Sequence, residues 1–192
     1  MTLADAAAWR RWLASHHREQ AGVWLVLAKQ GTTEPTSLTH AQALEEALCH
    51  GWIDGRVRAR DEHTYIHHFT PRRARSPWSQ RNVAIAERLT SEGRMQPAGT
   101  AEMQRAQSDG RWAAAYAGAR EIEVPDDLAA ALAEAPAAQA MFEILTSQNR
   151  YAILYRLTSA KRADTRARRL HSYVAMLARG ETIHPQKRTL GD

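Results

Sequence analysis

One cysteine, Cys49, is all the chain holds, so no internal disulfide can form and nothing in its cysteine usage asks for an oxidising compartment. Long apolar runs are missing as well. The best candidate near the N-terminus, Ala21 to Lys29, is far below the roughly 20 residues that a membrane helix needs. The first residues place arginines after alanines and show no basic-then-apolar leader with a cleavage site. These absences lead to the expectation of a cytoplasmic protein without membrane insertion. There is no internal repeat, and the alanine-rich stretch 129–140 is simply good helix former. No cysteine or paired-carboxylate spacing fits a structural zinc site, and no DNA- or RNA-binding motif occurs.

What is present is an ordinary globular composition, 44% hydrophobic and 24% charged over 192 residues, enough for one large domain or two small ones. The net charge of +5 is regional. From Ala101 to Asn149 there are eight acidic residues against three arginines, whereas Arg150 to Arg179 holds eight basic residues and one acid, Asp164. This asymmetry suggests two parts.

Taken in order, Asp5 caps a helix carrying Trp9, Trp12 and Leu13. Gly22 to Lys29 is apolar on both alternate sets, as in a strand covered on both faces. Thr39 and Gln42 form a capping box for a helix that Gly51 ends. Trp52–Ala59 and His63–Phe69 are expected to pair as a hairpin about Asp61, with Gly55 at a bulge or a close approach. That turn places Asp54 opposite His68, a pairing that a one-residue slip would undo. Ser76 followed by Pro77 reads as a helix start, with Trp78, Asn82, Ile85 and Leu89 on one stripe. Thr100 is expected to cap another helix, and Val124-Pro125 marks the boundary between the parts. Short helices follow from Asp126, Pro136 and Ser147. A long one starts at Ser159 with Ala163, Ala167, Leu170, Val174 and Leu177 inward and Lys161, Arg162, Thr165, Arg168 and Arg169 outward.

The fold class expected is α+β: a small antiparallel sheet with a hairpin, packed by helices, followed by a C-terminal helical region. The divisions are 1–122 for the α+β region, 123–180 for the helical region, and 181–192 as a flexible, untethered tail.

Chemistry concentrates between Cys49 and Asn82. Arg72 and Arg73 stand just before a helix entrance, whose free amides also attract anions. With Trp52 or Trp78 as a wall and Asn82 as a directional donor, they make a pocket for a carboxylate, phosphate or other small anion. The competing reading has these arginines in salt bridges to Asp126 or Asp127. Asp54 with His68 is the acid–base candidate for catalysis. His63 and His67 share a strand face and could hold an ion with Asp54 or Glu62, but ordinary exposed histidines are the stronger reading, so neither a metal nor a cofactor is expected. Cys49 reads as a small buried hydrophobe. A nucleic-acid-binding accessory role through Arg168 and Arg169 is the alternative.

Several motifs occur together in order along nearly the whole chain: HGWIDG (His50 to Gly55), FTPRR (Phe69 to Arg73), SPWS (Ser76 to Ser79) with Asn82, GRW (Gly110 to Trp112), VPDDL (Val124 to Leu128) and AKRADTRARR (Ala160 to Arg169). In these the chain resembles the bacterial YdeI/OmpD-associated, or bacteriocin-protection, family. It departs from the pattern at His50, where a bulky aromatic is expected, and at Asp164, where a glutamate is. The resemblance implies an N-terminal α+β region joined to a helical region. It also implies a stress or antimicrobial-peptide protection role and association with an outer-membrane porin.

Overall fold

The computed structural model describes residues 1–19, 21–119 and 121–189, and divides the chain into two compact units, Met1–Ala115 and Tyr116–Asp192. The first unit mixes helices with a three-stranded antiparallel sheet, and the second is helical, so the chain is α+β with a C-terminal helical region.

In the first unit, α1 (Ala6–His16) starts where Asp5 accepts a hydrogen bond from the Ala8 amide at 2.8 Å, and it buries Trp9 and Leu13 completely. Strand β1 (Val23–Ala28) is buried from Leu25 onward. Helix α2 (His40–Cys49) has the full reciprocal capping box of Thr39 and Gln42, and Gly51, at φ 75°, turns the chain into β2 (Trp52–Ala59). Strand β3 (Thr64–Pro71) lies between β1 and β2. Trp9, Leu13, Leu25, Leu27, Ala43, Ala47, Trp52 and Phe69 close into one core over the sheet. Each large side chain so buried contributes roughly 1.5–3 kcal/mol.

The hairpin register departs from expectation. Trp52, Ile53 and Asp54 pair with Pro71, Thr70 and Phe69, and after a bulge at Gly55 and Arg56, Val57 pairs with His67 and Ala59 with Tyr65. Asp54 therefore does not face His68. The turn is centred on Glu62 rather than Asp61, which moves each partner near the turn by two residues, and the single extra residue of the bulge takes back one of the two in the outer half.

Helix α3 (Gln80–Ser91) starts later than the Ser76-Pro77 signal indicates, because Ser79 is its cap and accepts from the Asn82 amide at 3.2 Å. The Ser76 hydroxyl instead accepts from the Arg73 amide at 3.0 Å and closes a turn. Helix α4 (Pro97–Ser108) starts with Pro97 in its first turn, so Thr100 lies inside it. Leu44, Leu48, Cys49, Trp78, Ala86, Leu89 and Ala106 form the second core of this unit.

The second unit contains α5 (Asp126–Ala133), α6 (Pro136–Glu143), α7 (Ser147–Thr158) and α8 (Ala163–Ala178). Leu128, Leu132, Met141, Phe142, Ile153, Leu154, Leu157 and Leu177 form its core. Thr146, not Ser147, caps α7, and Ser159 is the last residue of that helix's turn rather than the start of α8. Ala163 and Ala167 are exposed, and the inward stripe of α8 begins only at Leu170. The tail is tethered as far as it is described. Buried Asn149 accepts from the His184 amide at 2.8 Å, donates to the His184 carbonyl at 2.9 Å, and also donates to Gln186 at 2.9 Å. A fully buried amide with both ends satisfied holds this segment against α7. Among the described residues no helix is long and apolar enough to cross a membrane.

Candidate functional site

Two places in the first unit gather chemistry. The first is a hollow of about 250 Å³ lined by Arg10, Ala14, Glu46, His50, Arg94 and Gln96. A second, of about 210 Å³, shares Ala14, His50 and Gln96 with it and adds His17, Arg18, Pro97 and Ala98. Helical spacing explains the lining: Arg10 and Ala14 are four apart on α1, Glu46 and His50 four apart at the end of α2. Pro97 and Ala98 open α4, whose first turn has no side-chain cap.

Glu46, only 4% exposed in its side chain, receives the Arg10 guanidinium through Nε at 2.8 Å and Nη2 at 2.6 Å. Arg94 adds a third bond at 2.9 Å and also reaches Glu45 at 2.9 Å. Burial alone would raise the Glu46 carboxyl, but Arg10 and Arg94 outweigh it and hold it below the usual range. His50 Nδ1 lies 2.9 Å from the Glu46 carbonyl. A carbonyl only accepts, so the neutral ring carries its proton on Nδ1 and its Nε2 lone pair is left for another partner. Burial pushes this imidazole below its ordinary value. Arg10, Arg18 and Arg94 line the combined hollow with Glu46, and Arg94 also pairs with Glu45 and Glu92 behind it.

The second place is the triad His40, Asp54 and His67. The bulge sets Asp54 on the face turned toward α2, where His40 Nε2 lies 3.0 Å from Asp54 Oδ2 and His67 Nε2 3.7 Å from the same oxygen. The two imidazoles are stacked, 4.8 Å apart and 12° from parallel. His67 Nε2 also lies 3.2 Å from the Gly55 carbonyl. Burial would raise the Asp54 carboxyl, but the hydrogen bond from His40 and the field of both rings bring it below the ordinary value.

The structure brings together only some of the residues singled out from sequence. Arg72 is buried, lies 3.8 Å over the Trp78 ring and donates to the Pro77 carbonyl at 2.6 Å, so this pair holds the turn before α3. Asn82 is buried on α3, and Arg73 is exposed. Trp52 belongs to the other core, with its indole donating to the His17 carbonyl at 2.8 Å. His68 lies against Trp24 at 4.8 Å, and Asp54 meets His40 and His67 instead. Asp127 is taken by Arg166, at 2.9 and 2.8 Å. Arg169 donates to the Arg156 carbonyl at 2.6 Å, and Arg168 is exposed. Sequence reasoning missed His40, Arg10, Glu46 and Arg94. The capping box locates His40 at a helix start, but only tertiary packing carries it to Asp54.

Comparison with known families divides the chain. Residues 1–102 match the family described as Domain of unknown function (DUF8412), which is more than half of the chain. The chain belongs to that family. Residues 121–180 match the family described as Bacteriocin-protection, YdeI or OmpD-Associated, so the resemblance read from VPDDL and AKRADTRARR is found there. The N-terminal motifs HGWIDG, FTPRR and SPWS fall instead within the DUF8412 match. No curated protein and no solved structure matches the chain.

Proposed function

We propose that the first unit binds a small anionic molecule, and that this binding serves a protective role of the kind named in the family description of residues 121–180. The observation that carries the reading is the hollow where Arg10, Arg18, Arg94 and the buried His50 line the entrance to α4. Cationic side chains and the positive end of a helix favour the same ligand charge. A volume of about 250 Å³ suits an inorganic oxyanion or a small carboxylate. This site replaces Arg72 and Arg73 as the favoured place for the anion because it is a hollow at the uncapped first turn of α4, whereas Arg72 is stacked on Trp78; Arg10 and Arg94 reach it already paired with Glu46.

The experiment is a thermal-shift and calorimetric series with phosphate, sulfate and small carboxylates on the full chain and on His50→Phe. That substitution fills the hollow with an apolar ring and removes Nε2. Stabilisation of the parent protein by at least one anion, lost in His50→Phe while Arg73→Ala keeps it, is the expected outcome. Anion stabilisation that survives His50→Phe unchanged overturns the reading. The pH dependence is a second check. A protonated His50 donates from Nε2 to an oxyanion, so affinity rises as pH falls toward the depressed value of this buried imidazole.

A further inference from the structure

We propose that His40, Asp54 and His67 form a binding site for a borderline divalent transition-metal ion of the Zn²⁺ type. Two imidazoles and one carboxylate are a donor set that suits such ions, and hard cations such as Mg²⁺ prefer oxygen donors. The three donor atoms lie within 4.8 Å of one another. Metal–ligand bonds of roughly 2.0–2.1 Å at tetrahedral angles put ligand atoms about 3.3 Å apart. The observed 3.0 Å from His40 to Asp54 and 3.7 Å from His67 to Asp54 bracket that separation. An ion takes the place of the proton that His40 Nε2 donates to Asp54, and because the two rings are stacked and 12° from parallel, one of them turns about its side-chain bonds to bring both nitrogen lone pairs onto the ion.

Three elements fix the donors. His40 is the first residue of α2, Asp54 is placed by the bulge in β2, and His67 is on the central strand. The site opens to solvent on one side, with His40 25% and Asp54 26% exposed in their side chains against 7% for His67. An ion therefore has a path of entry and a position left for water. An ion at His67 takes the Nε2 atom that now donates to the Gly55 carbonyl at 3.2 Å, so that hydrogen bond is exchanged for the metal bond. The site is independent of the anion hollow, with which it shares no lining residue.

The test uses the full chain freed of any affinity tag and treated with chelator, titrated with ZnCl₂ and, separately, CoCl₂. The expected results are a higher melting temperature with Zn²⁺, and with Co²⁺ visible absorption bands of a low-coordinate nitrogen and oxygen site. Asp54→Asn and His40→Ala should each weaken binding by about tenfold or more, since even outer-shell changes have effects of that size. His68→Ala, on the other face of β3, and His50→Phe, in the anion hollow, should bind as the parent does. That separates a failure here from a failure of the anion reading. His40→Ala removes a quarter-exposed side chain at a helix start and keeps the test open if Asp54→Asn does not fold. No Zn²⁺ shift in the parent, or equal affinity in His40→Ala, overturns the proposal.

Discussion

At the scale of single residues, environment decides which groups are reactive. Cys49 is buried at the end of α2, where loss of water and the nearby Glu46 push its thiol up to about 11, with Arg94 and Arg10 only partly opposing. It stays protonated at neutral pH, so a disulfide reagent at pH 8 should label the native protein only as fast as it unfolds and label it at once in denaturant. Rapid native labelling would show the thiol to be exposed. Glu46 and His50 both weaken the fold in acid, alongside the likewise depressed His67 and Asp54. The depressed His50 value means that the unfolded chain takes up a proton first as pH falls below about 6.5, so stability begins to drop there. The depressed Glu46 value adds a second loss below its ordinary value of 4.5 and onward through its folded value. Denaturant melts at pH 7, 5.5 and 4 should therefore show falling stability, and Glu46→Gln should flatten the lower part of the curve. Composition and motif place identified the histidine-rich stretch, yet the partners of Asp54 were not legible. The turn is centred one residue later than the sequence suggests, so that even after the bulge Asp54 pairs with Phe69, and His40 comes from another element.

Elements were the most legible level where local chemistry closes on itself. The Asp5 cap, the Thr39/Gln42 box and the Gly51 turn are all set by atoms within a few residues. They failed where two signals compete, as at Ser76 and Ser79, or where a partner is distant. Gly99 is such a case. It lies in the first turn of α4, and a Cβ there would sit 2.3 Å from the Cys49 carbonyl oxygen and 2.6 Å from that of Leu48. Helix propensity alone favours Gly99→Ala by about 1 kcal/mol. The close approach of α4 to the end of α2 reverses the sign. Gly99→Ala should destabilise by about 2 kcal/mol or more in urea melts, a loss of the overpacking kind. In the second unit, Asn149→Ala strips the His184 and Gln186 groups of their partner, with an expected loss of about 1–3 kcal/mol and faster amide exchange beyond Glu181. Unchanged exchange there would mean that the segment is held by Ile183 packing instead.

For the molecule as a whole, one ion pair links the acidic stretch to the basic one inside the second unit: Asp127 and Arg166 form a two-bond pair, and Arg166 also donates to the Leu157 carbonyl at 2.7 Å. That unit also contains a core built only from its own residues, Leu128 through Leu177, with Ile183 packed against it. Burial of so many Leu, Ile, Met and Phe side chains is the kind of core that lets a short helical segment fold alone, though small domains are marginal. A chain of residues 116–192 should give a helical circular dichroism spectrum and a cooperative melt. Because all six tryptophans lie before residue 116, that fragment is tryptophan-free and its melt can be followed by its tyrosines. Leu154→Ala, which empties a fully buried position, should lower its stability by about 2–5 kcal/mol and abolish the cooperative transition if the margin is smaller than that. A broad melt of the parent fragment, insensitive to Leu154→Ala, would show that the second core does not fold by itself.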